Sequence, residues 1–338
     1  MKPTRRDSNM ELFRIFCMFL VMLFHVYGMA DVFNNDLPSC QRPLPQLLTQ
    51  LLVSATFGCV DVFILLSGWY GINTKRSKVA AFLFQVLFYS VISYTLFVAL
   101  CADVSFSPSF LVHIFIFDDY WFVPTYLLLY IFAPALNDFV RKAPHRQFKM
   151  LLIAIIVMQS IYGWMSPREA GYLEGRAPFS FIILYMLAGY LRRFPVRIKL
   201  YSKTQLFLLY LAATTVNALL ADTAKSMENQ TLVDIVYRFS SPFIIFSSIC
   251  LLLIFSKIEI GYNKTINWIA ASSFAAFLVH CFPLFISHVF TPQLNEWYHS
   301  LSGIGFVALS TLYIIAIYAA SILIDQIRIR VYRLIAPQ

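Results

Sequence analysis

Apolar runs alternate with short polar loops along the whole chain. Ten stand out, at 10–30, 50–71, 79–101, 120–140, 150–165, 177–191, 204–220, 235–256, 266–289 and 303–325. Each is near the ~20 residues a helix needs to cross a bilayer. The pattern predicts an all-α fold, a polytopic transmembrane helix bundle of about ten spans. The bundle is read as one integral-membrane domain over 1–338, with no internal repeat, low-complexity tract or soluble domain. The first run lacks a small-residue cleavage site and carries charges, so it is read as a retained helix rather than a signal peptide.

That first run, ELFRIFCMFLVMLFHVY from Glu11 to Tyr27, is where polar positions interrupt the apolar pattern most pointedly. At ~100° per residue the step from Arg14 to His25 is ~1100°, three turns plus ~20°. The two side chains therefore share a face, ~16 Å apart along the axis. Glu11 lies one turn before Arg14 on nearly the same face. Polar groups inside a spanning helix are costly and usually face a cavity or a partner, which makes this helix the chemical spine of the chain.

Composition agrees with the membrane reading. The chain has 338 residues, 59% hydrophobic and only 13% charged, where soluble domains run nearer half apolar and a quarter charged. Mean hydropathy is +0.71. A net charge of +9 suggests nucleic acid in a soluble chain, but here the basic residues sit in short loops between apolar runs. With the N-terminus placed in the cytoplasm and ten alternating spans, twenty of the 26 Lys and Arg fall inside. Five fall outside: Arg42, Arg168, Arg176, Lys225 and Arg238. This positive-inside bias predicts that both termini are cytoplasmic. The six cysteines show no CxxC and no Cys/His ligand spacing, and they read as small buried hydrophobes with no metal.

Several positions carry candidate chemistry, each with a plainer alternative. His25 is either a general base or a packed histidine bonded to a neighbouring helix. Arg14 either binds an anionic group such as phosphate, or snorkels and pairs with Glu11. Asp61, in VDVFILLSGWYG, is a lone carboxylate within a span and needs a partner. Ser67-Gly68 lies near the inner end of that span, where glycine lets a ligand or a helix come close. Lys75, Arg76 and Lys78 follow, as donor-binding cations or as ordinary inside charge. WFVPTYLLLYIFAPALN carries Pro124 and Pro134, which free backbone carbonyls and often border a cavity. Tyr126 and Tyr130 sit deep in that run, while Tyr120 and Trp121 double as interface anchors. His280, mid-span in SFAAFLVHCFPLF, either lines the same cavity or hydrogen-bonds a neighbouring helix.

Taken in order, these pieces resemble one family. ELFRIFCMFLVMLFH is similar to the opening signature of the integral-membrane acyltransferase-three family: an acidic residue, an arginine three later and a histidine eleven after that. VDVFILLSGWYG resembles its second-helix motif ending in Ser-Gly. WFVPTYLLLYIFAPALN resembles its Trp-rich, Tyr-containing helix before Pro-x-x-Asn, and SFAAFLVHCFPL its late helix ending in a histidine. The resemblance covers nearly the whole chain. It implies transfer of an acyl group, usually acetyl from cytoplasmic acetyl-CoA, to a hydroxyl of a sugar or envelope glycan. It maps the family's essential histidine to His25 and its arginine to Arg14. One departure stands out: many members carry paired arginines after Ser-Gly, where this chain has KRSK with the single Arg76.

The expectation is an O-acetyltransferase of the bacterial cytoplasmic membrane. His25 is its catalytic residue, acting as base or brief acyl carrier. Arg14, Lys75, Arg76 and Lys78 hold the donor phosphates, and Glu11 orients Arg14. Asp61, Ser67, Tyr126, Tyr130 and His280 support or line the cavity. No cofactor is expected to be bound, acetyl-CoA being a co-substrate. The other partners expected are a glycan acceptor, the lipid bilayer and a separate transfer protein, with no nucleic acid. The rival is a polytopic exporter of a glycan or lipid-linked sugar, which midplane charges and broken helices suit equally well.

Overall fold

The structure, a computed structural model, describes residues 7–29, 41–166, 171–195 and 200–335. Asp31, Asp36, Cys40 and Arg168, which the sequence places in loops, lie outside the described residues. The described residues are helical, with no strand among them. In chain order the helices are α1 Ser8–Met29, α2 Gln46–Tyr70, α3 Arg76–Leu100, α4 Pro108–Ile116, α5 Phe122–Lys142, α6 His145–Met165 and α7 Pro178–Arg193. Then follow α8 Lys203–Ser226, α9 Gln230–Val236, α10 Pro242–Ser256, α11 Lys264–His280, α12 Pro283–Ser300 and α13 Gly303–Ile335.

Every apolar run of the sequence becomes a helix, but the runs are not equivalent. Seven helices (α1, α2, α3, α5, α6, α8 and α13) are long and apolar enough to cross a membrane. The ninth run is a broken pair, α11 and α12, bent by 66°. Pro283 sits at that break and supplies no N–H to continue the ladder. The sixth and eighth runs become α7, of 16 residues, and α10, of 15. At 1.5 Å per residue these reach only ~24 and ~22 Å, short of the ~30 Å hydrocarbon core. Both are largely buried by their neighbours. Hydropathy alone does not separate such interior helices from full spans, and the ten-span reading depends on counting them.

α1 is the hub. It packs against α2, α10, α11 and α13. Met10, Phe13, Cys17, Leu20, Met22 and Val26 are buried around most of its circumference. Phe13 stacks on Phe255 of α10, with ring centroids 4.5 Å apart. The second half of α2 packs on α7 through Gly68, where a Cβ would meet the Tyr185 carbonyl oxygen at 2.2 Å. The glycine of Ser67-Gly68 thus serves the approach of a helix. Tyr185 then closes the end of this unit. Its hydroxyl donates to Asn137 Oδ1 at 2.5 Å and accepts from the Ile72 N–H at 2.7 Å. Asn137 Nδ2 donates to the Ile72 carbonyl at 3.0 Å, so the Asn of the Pro-x-x-Asn stretch pins the turn that follows SGWYG.

One buried ionic cluster ties α3 to α13. Asp325 is fully buried and accepts from Arg328 through Nε at 2.9 Å and an Nη at 2.8 Å. Gln85 Nε2 and the Tyr89 hydroxyl also donate to it, each at 3.2 Å. A buried charge satisfied this completely is tolerated; removing one partner would leave the other unpaired in an apolar interior.

Candidate functional site

Four helices turn stripes of three- and four-residue spacing toward one space. On α1 the stripe is Glu11, Arg14, Met18, Val21, His25 and Gly28. α2 contributes Phe57, Val60, Phe63, Ser67 and Tyr70, α5 contributes Phe122, Tyr126 and Tyr130, and α11 contributes Ala270, Phe274 and Phe277, continued by Cys281. Together with Phe82 and Gln85 of α3 they enclose a cavity of about 1590 Å³. It follows α1 from Asp7 to Met29, ~33 Å of helix axis and comparable to a bilayer core.

The structure therefore brings His25, Arg14, Glu11, Ser67, Tyr126 and Tyr130 together on one cavity wall. The shared face of Arg14 and His25, read from helical phase, is present. The other candidates lie elsewhere. Lys75, Arg76 and Lys78 are exposed and absent from the wall; they stand beyond Tyr70, Gly71 and Ile72, which do line it. Asp61 is buried outside the wall, and its Oδ2 has no hydrogen-bond partner among the described residues. His280 is also buried and lies directly behind His25.

At the α1 N-terminal end, an Arg14 Nη donates to Glu11 Oε2 at 2.6 Å, which holds the guanidinium against its own helix. A second arginine, missed in the sequence, shares this end of the cavity. Arg192 closes α7, donates to the Trp69 carbonyl at 2.5 Å and places its guanidinium 5.1 Å from the centre of the Tyr70 ring. Its neighbour Arg193 instead caps α5, donating to Val140 O at 2.5 Å and Ala143 O at 2.8 Å. Charge alone does not separate the two. Helical phase does, because Arg192 follows Tyr185 by seven residues and shares the α7 face turned to α2.

Further along α1, ~16 Å beyond Arg14, hydrogen bonding fixes the histidine tautomers. His280 Nδ1 lies 2.5 Å from the Ala276 carbonyl, which only accepts, so Nδ1 carries the proton. In a neutral ring His280 Nε2 is then a bare acceptor. His25 Nδ1, 2.9 Å away, donates to it. This leaves His25 Nε2 deprotonated, with no hydrogen-bond partner among the described residues, on a side chain that faces the cavity. Cys281 Sγ completes the group, 3.3 Å from His280 Nε2 and 3.7 Å from His25 Nδ1. Three ligand atoms within 4.8 Å of one another form a set able to hold a metal ion. The 2.9 Å His–His contact is, however, shorter than the ~3.3 Å that separates two nitrogens on a tetrahedral zinc with ~2.0 Å bonds, and it fits a hydrogen bond.

The aromatic wall is ordered in the same way. Ser67 Oγ donates to the Phe63 carbonyl at 2.9 Å, so it accepts from the Tyr126 hydroxyl, also at 2.9 Å. At the far end, Arg176 pairs with Glu174 at 2.9 Å and sits 5.6 Å from the Trp121 ring centre. Asp119 and Asp234 share that mouth. Asp119 lies in the loop before α5, and its carboxyl is pushed up to about 6 by burial, with Asp118 adding to the shift and His113 opposing it.

Neither a curated protein nor a solved structure matches the chain. A family model described as an acyltransferase domain, that of acyltransferase family 3, matches residues 7–325. That span takes in every helix of the cavity, the His25–His280 pair and both ends of the space between them. The chain belongs to the acyltransferase-3 family of membrane acyltransferases.

Proposed function

We propose that the protein is an O-acetyltransferase of the bacterial cytoplasmic membrane, moving acetyl from acetyl-CoA to a hydroxyl of a surface or lipid-linked glycan. The observation that carries this reading is the position of His25, ~16 Å of helix axis beyond Arg14, on the wall of a single cavity that has a cationic pair at one end. With both termini cytoplasmic, Arg14 and Arg192 stand at the inner mouth, and Lys75, Arg76 and Lys78 form its rim. Arginines anchored by one N–H keep their other donors for phosphate oxygens, and the rim lysines add attraction at longer range. From a nucleotide held there, the pantetheine arm has ~16 Å to cover to His25, about its extended length.

The chemistry then follows from the tautomer. His25 Nε2 takes the proton of the acceptor hydroxyl as its oxygen attacks the thioester carbonyl, and CoA leaves as the thiol. His280, through His25 Nδ1, keeps the bare nitrogen turned to the cavity. The long cavity and the 66° break between α11 and α12 also suit a transporter. Chemistry separates the two readings. Purified protein should consume acetyl-CoA and acetylate a hydroxyl acceptor, and His25→Ala should lower the rate by the ~10²–10⁴-fold typical of a lost general base, with folding and donor binding intact. His25→Gln should fail to rescue, since an amide does not take the proton. A wild-type protein inert toward acetyl-CoA would leave the transporter standing.

A further inference from the structure

Cys281 is a nucleophile of the cavity wall that the scheme above leaves idle. The other thiols among the described residues differ from it. Cys17 and Cys250 are buried away from the cavity, Cys101 follows α3, and Cys59 lines the wall but its Sγ hydrogen-bonds a backbone carbonyl rather than a histidine. Cys281 faces the cavity at the break between α11 and α12 and lies 3.3 Å from His280 Nε2. That nitrogen carries no proton, because the Ala276 carbonyl at 2.5 Å holds the His280 proton on Nδ1, and its lone pair is shared between His25 Nδ1–H at 2.9 Å and the thiol. A thiol within reach of a histidine lone pair, with the histidine oriented by a third group, is the arrangement of an activated nucleophile. Its second neighbour, His25 Nδ1 at 3.7 Å, belongs to a ring that lines the cavity.

Resting on the acetyl-transfer reading, we infer that Cys281 carries the acetyl group between donor and acceptor as a thioester, so that transfer runs in two displacements through one thiol. In the first, Cys281 Sγ attacks the acetyl-CoA carbonyl. Its proton passes to His280 Nε2, the carbon–sulfur bond to CoA breaks, and the CoA thiolate takes the proton from His280. One thioester is exchanged for another, with nothing oxidised or reduced. In the second, the acceptor hydroxyl oxygen attacks the acetyl carbonyl on Cys281. His25 Nε2 takes the hydroxyl proton, the carbon–Sγ bond breaks, and His25 Nδ1 gives its proton to Sγ; the ring then exchanges its Nε2 proton with solvent in the cavity for one on Nδ1, which restores the starting tautomer. The products are an acetyl ester and the free thiol. Two displacements let CoA leave by the Arg14 mouth before the acceptor arrives, so the cavity never has to hold both substrates at once.

The test needs no knowledge of the natural acceptor. Purified wild-type protein is incubated with radiolabelled acetyl-CoA alone, quenched in acid and mapped by peptide mass spectrometry. Acetyl on Cys281, released by hydroxylamine, is the expected result. With hydroxylamine as the acceptor, double-reciprocal plots should be parallel. Cys281→Ser should lose the label and more than ~10²-fold in turnover, whereas Cys101→Ala should change neither. Acetyl-CoA consumption with Cys281 never labelled, or Cys281→Ala turning over at the wild-type rate, would overturn the thiol and leave the acetyltransferase standing. A wild-type protein that neither takes label nor consumes acetyl-CoA would overturn both. The labelling is read on the wild type, so a variant that fails to fold does not blur the outcome.

Discussion

The two ends of the cavity are built differently. At the α1 N-terminal end the charged wall residues are Asp7, Glu11, Arg14 and Arg192, and the rim adds Lys75, Arg76 and Lys78. At the far end they are Asp119, Glu174 and Asp234 against Arg176, which already pairs with Glu174 and covers Trp121. One mouth is therefore cationic once its rim is counted, and the other is acidic and aromatic. The difference teaches that the cavity is polarised along α1. An anionic ligand is attracted to one end and repelled from the other, while a neutral, hydroxyl-rich ligand meets hydrogen-bond acceptors and a ring face at the acidic end.

Replacing the wall cations should have the largest effect on that contrast. A hydrogen bond to a charged group contributes about 1.5–3 kcal/mol, so Arg14→Ala and Arg192→Ala should each raise the KM for acetyl-CoA by ~10–10²-fold. With acetyl-pantetheine, which lacks the nucleotide phosphates, the same variants should match the wild type. Arg14→Lys should rescue poorly if phosphate is held bidentately. Arg76→Ala on the rim should cost only a few-fold, and that loss should fade as salt screens it. Equal effects at wall and rim, or unchanged donor kinetics in both wall variants, would dissolve the distinction.

A smaller effect is expected at the acidic end. The Asp119 carboxyl, held up to about 6 against an ordinary value near ~4, binds its proton more tightly folded than unfolded. Its favourable contribution is complete below the unfolded value and is lost as pH rises through about 6. Thermal unfolding of Asp119→Asn in detergent should thus gain slightly on the wild type between pH 4 and 7. A difference between the two that does not change with pH would mean that Asp119 ionises freely in the folded protein.

How much of this was legible in the sequence differs by residue. The Glu11–Arg14–His25 stripe was, because a 3.6-residue period fixes which side chains share a face. Tyr126 and Tyr130 were singled out by their depth in the Pro-containing run, and the structure places both on the cavity wall. The cations near the α1 N-terminal end were harder: KRSK read as donor-binding or as inside charge, Arg192-Arg193 only as inside charge, and only the packing of α7 on α2 turns Arg192 to the cavity. Gly68 looked equally fit for a ligand or a helix, and Tyr185, far away in sequence, decides for the helix. His280 and Cys281 were visible as residues, but their meeting with His25 spans 255 and 256 positions and rests on how α11 crosses α1. Two short helices, α7 and α10, carry as much apolar character as true spans, so hydropathy counted them alike.

The most direct measurement uses oriented membrane vesicles from a bacterial host expressing the protein, with acetyl-CoA added to one face at a time. Release of CoA should occur only when acetyl-CoA meets the cytoplasmic face, to which the proposed topology assigns Arg14 and Arg192, and His25→Ala vesicles should release none above background. Release from the outer face, or release that survives loss of His25, would contradict a donor entering at the basic mouth and reacting at His25.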